Sequence, residues 1–167
     1  MAVAIFRQHE PQKAYCTDIT YLPWGRRLTY LSAVKDVATR EVVAWNVSLH
    51  MEMDLVLGTL EHMSLAGHGL IHSDRGFHYT NPEYIERVEK LGLVQSMSRK
   101  GNCLDNAPME SFFGHFKDEV DVADCKTFDE LKAKIAAYMQ YYNNERQQWN
   151  LKKMTPVEYR NHLLSAA

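Results

Sequence analysis

A chain of 167 residues with 46% hydrophobic and 24% charged side chains is long enough to bury one core of ordinary domain size. No apolar run approaches the ~20 residues that a membrane span requires, and the opening MAVAIFRQHEPQK lacks the apolar stretch of a signal peptide, so a soluble, cytoplasmic protein is expected. A net charge of −2 excludes nucleic-acid binding driven by the overall field, and three scattered cysteines (Cys16, Cys103, Cys125) match neither a disulfide framework nor a CxxC zinc site.

Residues 1 to 13 show no clear period and read as a lead-in; the folded core is expected over 14–167. Ala14 to Leu22, Leu28 to Asp36 and Glu41 to Leu49 are rich in β-branched and aromatic residues and are separated by the turn-prone PWGRR and DVATR, which predicts an antiparallel meander of three strands. Asp54 to Leu65 places Leu55, Val56, Leu60 and Met63 at helical spacing, with Gly67 as its stop. A short strand, Gly69 to His72, follows. Asn81 before Pro82 caps a helix running to Leu91, and Leu93 to Met97 is a fifth strand.

Beyond Met97 the chain turns polar, and Asp105 or Asn106 can cap a helix that tolerates Pro108 in its first turn. On that helix Asn106, Glu110, Phe113 and Lys117 share a narrow sector beside an apolar stripe of Met109, Phe112, Phe116 and Val120. Thr127 to Glu130 and Thr155 to Glu158 each form a capping box that opens a further helix, the first reaching to about Arg146. Tyr138, Tyr141 and Tyr142, at helical spacing, are expected to pack in the core. Three meandering strands followed by two joined through helices make an α/β layer architecture.

Three acids come from three of these elements. Asp18 lies in the first strand, Asp74 just past the fourth, and Glu110 in the first turns of the helix, with 35 residues between the last two. The words around them, TDIT, HSDRG and SMSRKGNCLDNAPMESFF, with YYNNERQ and TPVEY near the end, resemble the integrase-core (DDE) transposases, most closely those of the IS-three group of bacterial insertion sequences. That resemblance implies a ribonuclease-H-like fold whose five-stranded mixed sheet joins the antiparallel meander to two parallel strands, flanked by helices. It also implies Mg²⁺-dependent cutting and joining of DNA strands, with two ions in the active complex and Mn²⁺ able to substitute.

By the same resemblance Asp18 would bridge both ions, Asp74 would complete one site and Glu110 the other. This fits the general requirement of phosphodiester transfer for hard oxygen ligands and the absence of any need for thiolate. Three such charges repel without a cation, so at least one of them is expected to titrate high. Lys117, two turns after Glu110, would hold a phosphate or a terminal base, or else is a surface lysine. Arg99, Lys100 and Asn106 are further candidates for DNA contact, Asn106 having the helix cap as its alternative. Lys126, Lys132, Lys134, Arg146, Lys152 and Lys153 read rather as a solvated charged face. His72 either orients a ligand or is a hydrogen-bonded structural histidine, and a His68/His72 zinc site is disfavoured by Gly67 and Gly69.

The partners implied are element-end and target DNA and further copies of the chain. Relatives of this kind usually carry helix-turn-helix segments upstream, whereas about a dozen residues precede Tyr15 here, so reading of specific DNA ends is not expected of this chain alone. A hydrolytic nuclease without strand transfer, and an inactive module that only binds DNA or oligomerises, are the rival readings.

Overall fold

In the computed structural model, residues 9–64, 68–98 and 107–165 are described. The first strand, β1 (Ala14–Trp24), runs into β2 (Arg27–Asp36) through a two-residue turn, and β3 (Val42–Ser48) completes the meander. Gly25 supplies the turn with φ +59, a left-handed backbone that residues with a Cβ avoid. The hairpin therefore reaches further than the sequence suggests: PWGRR is mostly strand, with Trp24 directly opposite Arg27. Then come α1 (Met53–Glu61), β4 (Gly69–Ser73), a single helical turn α2 (Phe77–Thr80), α3 (Pro82–Lys90) and β5 (Leu93–Met97). The chain closes with α4 (Ala107–Glu119), α5 (Phe128–Asn144), a 3₁₀ turn (Trp149–Leu151) and α6 (Pro156–Ser165).

The strand order is β3-β2-β1-β4-β5, with β1, β2 and β3 antiparallel to one another and β4 parallel to both β1 and β5. This is the mixed sheet that the sequence reading expected. Local chemistry sets its helices: Asn81 accepts a hydrogen bond from Glu83 N–H at 2.9 Å with Pro82 in the first turn, and Thr127 and Glu130 form the reciprocal capping box. Thr155 and Glu158 satisfy each other's backbone N–H groups in the same way. α1 ends four residues before Leu65, because the N–H groups of His62 and Met63 bond three residues back, to Thr59 and Leu60, and tighten the last turn. α2 and the 3₁₀ turn were not foreseen; each is too short to show a hydrophobic period.

Each face of the sheet carries its own core. On one, Cys16, Leu22, Leu31 and Ala33 pack under Met109, Phe112, Phe113 and Phe116 of α4 and Leu131, Ile135 and Tyr142 of α5. On the other, Tyr15, Val34 and Ile71 pack under Val56 and Leu60 of α1 and Tyr84 and Val88 of α3. Phe113, which the helical angle had grouped with Glu110, belongs to the packed stripe at 6% exposure. Tyr138 and Tyr142 meet Phe116 and Phe112 edge to face with ring centroids 5.0 Å apart, while Tyr141, expected inside, is exposed. Among the described residues no helix is long and apolar enough to cross a membrane.

β3 lies at the sheet edge, where unpaired backbone groups invite other strands. Asn143 of α5 closes part of that edge: its amide accepts from Val42 N–H and donates to Val42 C=O, both at 2.9 Å. Asn143→Ala leaves both groups without that partner and is expected to destabilise the fold by about 1–3 kcal/mol, read as a lower urea midpoint at unchanged slope.

Candidate active site

Side chains alternate along β1, so Cys16 and Asp18 point to the α4 face and Tyr15 to the other. β1 and β4 pair in parallel with Cys16 opposite His72, and extending that register by two residues sets Asp18 opposite Asp74. Asp74 thus follows the carboxyl end of β4, a recurrent location of sites in α/β sheets, and Asp18 lies beside it within β1. Glu110 enters from above in the first turn of α4.

Asp18 is the partly buried member, whereas Asp74 and Glu110 are exposed. Burial pushes the Asp18 carboxyl up to about 6; the Ile19 N–H opposes this by donating to Oδ1 at 2.8 Å, and the nearby charges of Asp74 and Glu110 raise it further. The three acids therefore share one electrostatic neighbourhood, and one titrates high as the sequence reading expected. They do not form a finished cage: among the described residues no three His, Cys, Asp or Glu side chains are gathered closely enough to hold an ion. Cys16 lies two residues from Asp18 on the same face. It is fully buried, donates to Lys35 C=O at 3.6 Å, and has its thiol pushed up to about 12 by burial, so it stays protonated and, among the described residues, Asp18, Asp74 and Glu110 offer hard oxygens. Such a set, with one carboxyl held high by burial and like charge, suits a hard cation such as Mg²⁺.

Two features fix the acids in place. Asp74 Oδ1 accepts the Gly76 N–H at 2.8 Å, and a Cβ at Gly76 would lie 2.9 Å from that same oxygen. Gly76 has φ −59, which alanine adopts freely, so the clash falls on the carboxylate alone. Gly76→Ala is expected to leave stability nearly unchanged while lowering any metal-dependent activity on the order of 10- to 100-fold, the scale of an ångström-sized misplacement. The second feature is Lys35, which the sequence reading missed because nothing in a strand pattern marks it. Only 4% exposed, it reaches from β2 to donate to Pro108 C=O at 3.1 Å and lies over the rings of Phe112 and Tyr142, tying down the turn that carries Glu110.

A cleft of about 520 Å³ opens beside the aspartates, lined among others by Tyr21, Met51, Asp74, Phe77 and His78. Lys117 is exposed, its Nζ 4.5 Å from the centre of the Tyr21 ring at the cleft's margin. Arg99, Lys100, Asn106 and Asp105 lie outside the described residues. Several cations assigned to a charged face are engaged there: Arg146 makes a two-pronged pair with Glu119 at 2.7–3.1 Å, and Lys134 meets Asp124 at 2.6 Å. His72 is buried between the hydroxyls of Ser96 and Ser98 at 3.2 and 3.1 Å, the structural alternative offered for it, and the exposed His68 is near Gly92 C=O instead.

Comparison with known proteins bears on the family and the fold. Two family models described as integrase core domain match residues 8–103 and 110–164. The putative transposase InsK of insertion element IS150 from Escherichia coli is 38% identical over 161 residues, 93% of this chain and 57% of that protein. An uncharacterized transposase-like protein of Haemophilus influenzae is 35% identical over 96% of this chain and 76% of its own length. The chain thus spans little more than half of the first relative. Among solved structures, the HTLV-2 integrase catalytic core domain in complex with magnesium superposes with a TM-score of 0.71 at 15% identity, over 92% of this chain and 99% of that one. A chain of a simian T-cell lymphotropic virus intasome gives 0.76 at 16% identity, over 92% of this chain and 56% of its own, which establishes a shared fold. With its mixed five-stranded sheet and a family match over more than half its length, the chain belongs to the integrase core domain family, in company with insertion-sequence transposases.

Proposed function

We propose that this chain is the catalytic core of an insertion-sequence transposase, that Asp18, Asp74 and Glu110 are its metal ligands, and that it cuts a DNA strand by hydrolysis and joins the freed 3′-OH to another phosphodiester. The observation that carries the assignment is the parallel β1–β4 register that sets Asp18 opposite Asp74 beneath the first turn of α4, with the Asp18 carboxyl pushed up by burial and by the charges of Asp74 and Glu110, a group whose charged form a bound cation would stabilise. When bound, Mg²⁺ or Mn²⁺ would supply an activated attacking oxygen and a stabilised leaving oxygen. The chain's own residues place the ligands. β1 fixes Asp18, the Gly76 turn orients Asp74, and α4, held by Lys35 and its aromatic stripe, presents Glu110. Lys117, on the same side of α4 as Glu110, is free to lean from Tyr21 onto a substrate phosphate.

Relatives named as transposases and a neighbour from an intasome support DNA as substrate and assembly of several copies on it. With a net charge of −2, contact with duplex must rest on a few local cations, so binding should fall steeply with salt and ignore sequence. The test is an assay with Mn²⁺ or Mg²⁺ at low salt on a labelled duplex carrying a preformed 3′-OH end. Joining to a second duplex, lost in Glu110→Gln, is the expected result. Cleavage without joining would point to a nuclease, and no metal-dependent chemistry in the presence of the three acids would overturn the proposal.

A further inference from the structure

Asp74 follows the last residue of β4, where the ladder to β5 ends with Ser73 opposite Met97. Extending that register by one residue puts Ser98 beside Asp74. All three polar groups of Ser98 are taken up by the residues flanking Asp74. Its N–H donates to Ser73 C=O at 3.0 Å, its hydroxyl is hydrogen-bonded to His72 Nε2 at 3.1 Å, and its C=O accepts from Arg75 Nε at 2.8 Å. Ser98 is 8% exposed and His72 is fully buried, with its other ring nitrogen 3.2 Å from Ser96 Oγ. Serines at 96 and 98 keep the strand's two-residue period, so both hydroxyls face the imidazole.

A turn at a strand end ordinarily frays, because ordering its backbone is entropically unfavourable and few contacts oppose it. Here the turn is held on both sides of its acid by one residue just past the end of the neighbouring strand. We propose that Ser98, acting through His72 and Arg75, is a positioning residue that keeps the Asp74 carboxylate at the metal site. The consequence for the metal rests on the reading of Asp74 as a ligand; the mechanical coupling does not. A purely structural polar cluster would contribute to stability without governing where that carboxylate sits.

The Gly76 N–H reports the carboxylate directly, since it donates to Asp74 Oδ1 at 2.8 Å. The experiment uses the 167-residue chain with Ser98→Ala, which removes only the hydroxyl, Arg75→Met, which keeps the stem and removes the donor, and Ser98→Thr, which restores a hydroxyl. Hydrogen exchange at the Gly76 amide, measured by NMR in chelator, should quicken about tenfold in the first two and return toward the parental rate in Ser98→Thr. Mn²⁺ dissociation constants from calorimetry should rise about 10-fold or more in the first two, the usual scale for losing an outer partner of a ligand. Should Ser98→Ala fail to fold, Arg75→Met decides alone, because Arg75 is exposed. Parental Gly76 exchange in Arg75→Met and in any folded Ser98→Ala overturns the coupling. If instead Asp74→Asn binds Mn²⁺ as the parent does, the ligand assignment falls, and the exchange data still settle whether Ser98 positions the carboxylate.

Discussion

Asp18→Asn should abolish metal-dependent strand cleavage and joining and at the same time make the folded chain more stable at neutral pH. The loss follows from the proposed role: removing a carboxylate that would hold the metal would forfeit several kcal/mol of transition-state stabilisation, a fall of about a thousandfold or more in rate. The gain follows from the electrostatics. The Asp18 carboxyl is raised to about 6 in the fold from an ordinary 3.8. Between those values the folded state binds more protons than the unfolded one, so stability falls as pH rises through the window from about 4 to about 6. Below about 4 the penalty is absent, and above about 6 it is fully present. Two pK units correspond to on the order of 2–3 kcal/mol, an upper figure for a carboxyl that water still reaches in part. Denaturant titrations of parent and Asp18→Asn in chelator should therefore diverge across this window, the mutant losing less stability. Parallel curves from pH 4 to 7 would show that Asp18 does not titrate high.

The second large effect is expected far from the acids. Phe116→Ala should cost about 3–5 kcal/mol, a large share of the ~5–15 kcal/mol by which domains are stable, measured as the loss in urea unfolding free energy. Phe116 is fully buried where α4 meets α5, with its ring 5.0 Å from that of Tyr138. The same stripe holds the helix that carries Glu110, so activity in this variant should drop beyond what its unfolded fraction explains. A change under 1 kcal/mol would mean that α4 is held mainly from its first turn, by Lys35.

Cores of this kind show how stability and function are divided. Met109, Phe112 and Phe116 gain from being buried; Glu110, on the same helix, is exposed and adds nothing comparable. Asp18 goes further, since its burial works against the fold. A partly buried carboxyl beside like charges is sustained by the surrounding packing, here by two cores on opposite faces of one sheet.

The sequence by itself determined a good deal, because the signals involved are local. Alternation in Ala14 to Leu22 marks β1, the Thr127 and Thr155 boxes mark helix starts, and the words around Asp18, Asp74 and Glu110 carried the family resemblance, which implied the mixed-sheet fold. What only the tertiary structure decided are relations between elements that no window of sequence contains. The hold of Lys35 on Pro108 spans 73 residues, the pairing of Asn143 with Val42 spans 101, and the grip on Ser98 joins β4 to β5 across 23 to 26. Phe113 went to the core and Tyr141 to solvent because the space under a packed helix, and not its angular period alone, settles which side chains fit. The pKa of Asp18 belongs to the same class: in sequence it is one aspartate among 21 acids, and only the enclosure of β1, with Asp74 and Glu110 brought alongside, sets it apart.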